Sequence, residues 1–273
     1  MCIRDRDIDA VVISTPVATH FELAKRSLEF GKHVLVVKPM STYPSEVRQI
    51  GKLSRERGLV AMVGHTFLFN EAVRYVGKMI RDGEIGDIYY IYCQRLNLGR
   101  IRKDVDALWN LAPHDVSIIQ YWLGDPEPLK VRRFGMDYVQ KGVDDVVFLN
   151  ILYPNDVMAH IHVSWLDPQK IRRITIVGSK KMVVYDDIAE NKITIYDKGI
   201  DEVSVLGQGM DFDSAPEFGF DHRSGDVVMP KVLWKEPLKM EIDHFADCVI
   251  QGIKCLTGPD HAEKVVDILS KAD

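Results

Sequence analysis

The sequence has few cysteines, no long apolar run and no excess of positive charge. No apolar run reaches about 18 residues, so no membrane-spanning helix is predicted. With 35 Lys and Arg against 40 Asp and Glu, the net charge is −5, and nucleic acid is not an expected partner. The four cysteines form no C-x-x-C pair: they are Cys2, Cys93, Cys248 and Cys255. We therefore expect reduced thiols and a cytoplasmic protein.

Glycine is also absent where one class of fold requires it. A dinucleotide-binding fold opens with a strand and a G-x-G-x-x-G turn that holds the pyrophosphate. The first glycine here is Gly31, and the single G-x-G, at residues 207–209, lacks the flanking strand and helix. We expect a chain that begins inside such a fold, with on the order of 60 residues missing. Such a fragment would be poorly soluble and inactive, with little affinity for a dinucleotide; a small complete domain is the alternative.

The first part of the chain alternates strand and helix patterns. The strand segments are continuous, β-branched and apolar, as in buried parallel strands. The helical segments carry apolar residues at helical spacing and end at a glycine. The predicted elements are strands at 8–14, 33–37 and 59–63 and helices at 16–30 and 43–57. This order predicts a parallel α/β sheet, and we assign residues 1–66 to a partial dinucleotide-binding (Rossmann) domain.

Residues 67–273 have a different pattern. Several alternating strands with turn residues between them and few helices predict a mainly antiparallel α+β domain. The predicted elements are helices at 70–80, 109–123, 238–251 and 261–272 and strands at 86–98, 143–153, 157–165, 171–177, 181–185 and 192–196. Residues 201–235 are polar and glycine-rich, and we expect a long loop that covers the substrate. The strand at 157–165 has apolar residues on both faces, which predicts a homo-oligomer built on this sheet.

Lys38-Pro39 follows the strand at 33–37. A lysine at that point places an amine at the carboxyl edge of the sheet, where α/β folds bind ligands. The proline fixes the turn, and the Lys38-Pro39 peptide bond can be either cis or trans. An ordinary strand-end lysine that extends into solvent is the alternative interpretation.

Asn110 and His114 form a second candidate site. They are four residues apart and share a face of the predicted helix. Histidine titrates near neutrality and suits proton transfer to or from a hydroxyl. A structural histidine is the alternative, and we interpret Asp115 as a charge at the start of the helix.

His160 and His162 alternate along one strand, so their rings face one side. That spacing suits a metal, but no third ligand with a suggestive spacing is nearby, and we expect no metal site. We also keep a contrasting hypothesis, a metal-dependent hydrolase that uses His114, Asp115, His160 and His162.

Several motifs together resemble one family. They are Asp7 to Pro16, then His20, then Gly31 to Pro39, Val63-Gly64-His65, and Asn110 to His114. In this order they resemble the glucose–fructose oxidoreductase/inositol dehydrogenase/MocA (Gfo/Idh/MocA) family over nearly the whole chain. The resemblance implies a Rossmann domain followed by an open-faced, mainly antiparallel sheet domain for substrate binding and oligomerisation. It also implies an enzyme that uses NAD or NADP to oxidise or reduce sugars, inositols and related substrates.

The resemblance assigns roles to individual residues. Lys38 corresponds to the lysine of the family's Glu-Lys-Pro, and His114 to the histidine of its Asp-x-x-x-His. His114 would be the base, and Lys38 would orient the hydroxyl and stabilise developing negative charge. The residues implied at the cofactor are Thr15, Pro16, His20, Lys38 and Pro39. Two positions depart from the pattern: Val37 stands where the family usually has glutamate, and Asn110 stands where it usually has aspartate. Asn110 can bind a hydroxyl but cannot act as a base.

The segment from Gln94 to Lys103 carries polar and basic groups just before Asn110. Asn97, Arg100 and Arg102 would bind a phosphate or carboxylate of the substrate, because guanidinium groups form paired hydrogen bonds to such groups. This segment resembles family members that act on nucleotide-linked amino sugars; a solvated loop is the alternative. For the whole chain, the alternative to an NAD(P)-dependent sugar oxidoreductase is a catalytically silent member that binds a sugar or a protein partner.

Overall fold

The computed structural model describes residues 5, 7–204 and 218–272. The helices are α1 (His20–Glu29), α2 (Pro44–Arg57), α3 (Glu71–Arg81), α4 (Ala107–Leu123), α5 (Pro237–Gln251) and α6 (Pro259–Ser270). The strands are β1 (Ala10–Ile13), β2 (His33–Val37), β3 (Ala61–Gly64), β4 (Ile88–Leu98), β5 (Lys130–Met136), β6 (Val146–Leu152), β7 (Met158–Ser164), β8 (Leu166–Gly178), β9 (Met182–Asp186), β10 (Ile193–Ser204) and β11 (Phe218–Val228). No helix in these described ranges has the length and apolar character needed to cross a membrane.

The first sheet is parallel, in the order β1-β2-β3, as the sequence predicts. Its central strand is buried because α1 and α2 follow β1 and β2 and cover the sheet. Gly31 (φ +75°) and Gly58 (φ +63°) end the two helices in the left-handed conformation that glycine adopts without strain. β1 is an edge strand, and Val12 is 59% exposed there.

The second sheet has eight strands in the order β11-β10-β9-β8-β4-β7-β6-β5. All of its pairs are antiparallel except β4 with β7, so it is mixed but mostly antiparallel. Its inner face packs on α4 through alternate buried residues such as Ile161 and Leu149. The opposite side carries exposed apolar residues, and we call it the open face: Tyr90, Phe134, Phe148 and Met158.

The structure corrects three predicted elements. Residues 201–235 are not one long loop, because β10 continues to Ser204 and pairs with β11 as an antiparallel hairpin. Residues 205–217 of the predicted loop lie outside the described residues, and residues 229–235 form neither helix nor strand, as predicted. No strand is predicted at β5, whose buried and exposed residues alternate with little difference in apolar character. α4 begins at Ala107, two residues earlier than predicted, because Asp106 accepts a hydrogen bond from the Trp109 N–H and so caps it.

Candidate functional site

The loops that follow β1 and β2 form one side of the site. Parallel strands end at the same edge of a sheet, so Thr15-Pro16 and Lys38-Pro39 lie together there. The Lys38-Pro39 bond is cis. The buried ring of His20 lies between the loops, with Nδ1 2.8 Å from the Pro39 carbonyl oxygen and Nε2 2.7 Å from that of Thr15. A neutral imidazole donates to only one of these oxygens, and either bond ties helix α1 to a loop of the site.

Lys38 reaches from the parallel sheet to the second part of the chain. Its ammonium group donates a hydrogen bond to the main-chain carbonyl oxygen of Asn110, in the first turn of α4. Burial lowers the pKa of Lys38 to about 8, and the charges of Arg95 and Arg102 act in the same direction. Asp115 opposes them. An amine with this pKa titrates close to physiological pH and can gain or lose a proton there.

His114 lies one turn after Asn110 on α4. The ring of Phe67 contacts it edge-on at 5.0 Å between centroids, and its buried Nδ1 has no partner among the described residues. Burial holds the pKa of His114 well below its usual range, and the positive charges of Lys38 and Arg95 act in the same direction. The imidazole is therefore neutral at pH 7 and has a lone pair available as a base.

A buried ion pair adjoins these groups. Both guanidinium nitrogens Nε and Nη2 of Arg95 donate to the Asp115 carboxylate, at 2.8 and 2.9 Å, and the side chains are 6% and 2% exposed. The guanidinium also lies 4.6 Å from the centroid of the Phe67 ring. The interpretation of Asp115 as a charge at the helix start was wrong, because α4 begins eight residues earlier. Arg95 shares the strand parity of buried Ile91 and Cys93, a signal that would have placed it in the core.

Two adjacent cavities surround Lys38 and Asn110. The first, of about 420 Å³, is lined by all the residues expected at the cofactor: Thr15, Pro16, His20, Lys38 and Pro39. The second, of about 610 Å³, is lined by four of the residues expected at the substrate: Asn97, Arg100, Arg102 and Asn110. Arg102 and Asn110 line both cavities, Lys38 lines the first, and His114, one turn further along α4, lines neither of the two.

The departures from the family pattern have definite positions. Val37 lines the first cavity at the end of β2. The Asn110 side chain accepts a hydrogen bond from the Trp165 indole at 3.2 Å, while its main-chain oxygen holds Lys38. Arg102 forms a paired ion contact with Asp104, at 2.9 and 2.6 Å, so this guanidinium is partly neutralised at the mouth of the cavities.

The histidines of β7 lie elsewhere. His160 Nδ1 is 2.7 Å from Asn150 Oδ1, and the His162 ring stacks on Phe148 at 4.3 Å between centroids. The expected packing on the sheet face is confirmed. The hydrolase hypothesis is wrong, because it needs these rings beside Asp115, which α4 carries on the inner side of the sheet.

A parallel sheet covered by helices, followed by a large mixed sheet, defines a two-part protein with an α/β and an α+β sheet. Residues 2–65 match the model of an oxidoreductase family with an NAD-binding Rossmann fold, and residues 73–184 match that of the GFO/IDH/MocA C-terminal domain. Together these spans cover more than half of the chain. The chain belongs to the Gfo/Idh/MocA family, which confirms the resemblance.

Individual relatives support the same family. The chain is 36% identical to 4-carboxy-2-hydroxymuconate-6-semialdehyde dehydrogenase of Sphingobium sp., over 43% of this chain and 40% of that protein. It is 28% identical to UDP-N-acetylglucosamine 3-dehydrogenase of Acidithiobacillus ferrooxidans, over 71% of this chain and 60% of that protein. The chain thus spans less than two thirds of these relatives. GenD2 from gentamicin A biosynthesis, solved in complex with NAD, shares the fold with a TM-score of 0.77 and 21% identity, over 99% of this chain and 77% of that chain.

Proposed function

We propose that this site belongs to an NAD(P)-dependent oxidoreductase that transfers hydride between nicotinamide and a secondary alcohol of a sugar. The observation that carries the proposal is the contact between Lys38 and Asn110 at the junction of the two cavities, with His114 one turn further along α4. The first cavity opens at the carboxyl edge of a parallel sheet, where α/β folds bind dinucleotides, and its residues fit the nicotinamide end of NAD or NADP. When bound, the nicotinamide would accept or supply the hydride.

Side chains of the site would accept the proton of the substrate and stabilise the resulting charge. The neutral imidazole of His114 would take the proton of the substrate hydroxyl. Lys38, with its pKa near 8, would donate a hydrogen bond to the same oxygen and stabilise the negative charge that develops there. Asn110 would donate a hydrogen bond from its side-chain amide to a substrate hydroxyl, since its Oδ1 already accepts from Trp165.

The finer substrate assignment is a nucleotide-linked amino sugar. Arg100 is exposed at the second cavity, and Arg102 lies at the junction of both. Guanidinium groups at a cavity edge suit the phosphates of such a substrate. The substrate named for the Acidithiobacillus relative, UDP-N-acetylglucosamine, is of this class.

The test measures reduced nicotinamide formed from NAD⁺ or NADP⁺ at high cofactor concentration, with UDP-N-acetylglucosamine, free N-acetylglucosamine and inositol as substrates. We expect Lys38→Met and His114→Gln to lower the rate by at least about 100-fold, the usual contribution of an acid–base group. His222→Gln, an exposed histidine on β11, is the control. Binding of a sugar, seen by ligand-detected NMR, without any cofactor reduction would favour the catalytically silent alternative.

We also propose a homo-oligomer built on the open face. Tyr90 of β4 pairs with Met158 of β7, and Phe148 of β6 with Phe134 of β5, so two pairs of exposed apolar side chains lie on this face. Such surfaces on a sheet are usually buried by a partner. A second copy presenting the same face would cover it by two-fold symmetry.

A further inference from the structure

A group of soft ligands lies apart from the two cavities, where α5 ends and the loop to α6 begins. His244 and Cys248 are four residues apart on α5 and share a face of that helix. Cys255 lies in the loop that follows. Within the described part of the chain, these three form the one group of potential metal ligands whose nitrogen and sulfur atoms all lie within 4.8 Å of one another.

The distances suit one tetrahedral ion. Zn–N bonds of about 2.0–2.1 Å and Zn–S bonds of about 2.3 Å place the ligand atoms about 3.5–3.8 Å apart. The His244 Nε2 and Cys248 Sγ atoms are already 3.5 Å apart. The contacts to Cys255 need to shorten by no more than about 1.3 Å to complete three corners of the tetrahedron.

The charges of the three side chains would balance a divalent cation. Burial raises the pKa of Cys248 and of Cys255, so each thiol would release its proton when the ion binds. Two thiolates with one divalent cation are neutral overall, a combination that a partly buried site tolerates.

One existing contact competes with the metal. The Leu256 N–H donates to His244 Nε2 at 2.9 Å, and the ion would take this position. The exchange replaces one hydrogen bond with three metal–ligand bonds, which favours the ion. Leu256 lies beside Cys255 in the loop between α5 and α6, outside both helices.

We propose that His244, Cys248 and Cys255 bind one thiophilic divalent cation of the Zn²⁺ type, with a water molecule as the fourth ligand. The ion would fix the loop between α5 and α6. That loop supports the parallel sheet, because the Thr257 carbonyl oxygen accepts a hydrogen bond from the Val63 N–H of β3 at 2.9 Å. The site is independent of the proposed function. It also revises the expectation of no metal site, which considered only the spacing of His160 and His162.

The test titrates the reduced, chelator-treated chain with Co²⁺ and then with Zn²⁺ alone. We expect one equivalent of Co²⁺ with thiolate-to-cobalt charge-transfer absorption and the visible bands of tetrahedral cobalt, both removed by one equivalent of Zn²⁺. Cys248→Ser and Cys255→Ser should each weaken binding by at least about 100-fold. Cys93→Ala, a buried thiol on β4, and His160→Ala with His162→Ala are matched controls that should bind as the wild type does.

Circular dichroism establishes that each variant is folded, and Cys255→Ala, in the loop, serves if Cys248→Ser does not fold. Zn²⁺ should also raise the Tm of the wild type and not that of the Cys255 variants. Binding that persists in the Cys255 variants, or that is lost in the His160 and His162 variant, would overturn the proposal. So would a reduced chain that binds no Zn²⁺ and oxidises instead to a Cys248–Cys255 disulfide.

Discussion

Lys38 should destabilise the folded chain at neutral pH. Its ammonium group lies in a partly buried position with Arg95 and Arg102 nearby, and only Asp115 offsets their charge. These surroundings lower the pKa of Lys38 from 10.5 to about 8. The folded state therefore holds the lysine proton less tightly than the unfolded chain does, and folding at pH 7 must overcome that difference.

The sign and size of the effect follow from linkage. Between pH 8 and 10.5 the unfolded chain binds more protons at this position than the folded chain, so the free energy of unfolding rises with pH through that window. Below pH 8 the full cost is present and does not change. The gap between 10.5 and about 8 corresponds to about 3 kcal/mol, at 1.36 kcal/mol for each pKa unit.

The assay compares urea unfolding of the wild type and Lys38→Met at about pH 7 and about pH 10.5. The quantity compared is the free energy of unfolding of the variant minus that of the wild type. This difference should be about 3 kcal/mol larger at pH 7 than at pH 10.5. The variant lacks the hydrogen bond to Asn110 at both pH values. The difference between the two measurements therefore isolates the effect of the lysine charge on the free energy of unfolding. Lys52→Met, whose side chain is 76% exposed on α2, is the control and should show no such change. The same relative stability at both pH values would refute the reasoning.

Three further changes test the surroundings of the site and the open face. Asp115→Asn leaves Arg95 buried without its anion and should cost about 3–5 kcal/mol in urea unfolding, and replacing both residues with apolar ones should cost less. Asn110→Asp places a carboxylate beside Lys38 and should raise the pKa of its amine, measured by NMR of ¹³C-labelled lysine; a lower pKa would contradict the electrostatic account. Phe148→Glu puts charge on the open face and should give a monomer in light scattering where the wild type gives an oligomer; a monomeric wild type would contradict the proposed interface.

The parallel sheet and its edge were predictable because their signals are local. A continuous apolar run at residues 33–37 followed by Lys38-Pro39 specifies both a buried strand and the end that meets a ligand. The α4 motif was predictable for the same reason, since Asn110 and His114 occupy one helix face. The structure brings the residues named by these motifs to the two adjacent cavities, and their roles stay predictions.

What the sequence did not reveal depends on contacts between distant segments. The Arg95–Asp115 ion pair joins β4 to α4. The local sequence around each residue does not indicate which charged residue it contacts. The sequence predicts a loop over residues 201–235, where the polar, glycine-rich part of the β10–β11 hairpin lies at the sheet edge. His244, Cys248 and Cys255 were overlooked because the six residues between the two cysteines fit no common metal-binding spacing.

The loss of the family's aspartate at Asn110 changes the charge of the site more than its shape. Lys38 is held by the main-chain oxygen of residue 110, an atom that every side chain at this position leaves in place. The pKa of His114 is then determined by burial and by Lys38 and Arg95, with no carboxylate at residue 110 to raise it. Asn110 therefore keeps the positions of the proposed base and its partner while leaving both groups easier to deprotonate. A His114 that is harder to protonate is a weaker proton acceptor, so such a site would depend on the positive charges of Lys38 and Arg95 to stabilise the negative charge that develops on a substrate oxygen.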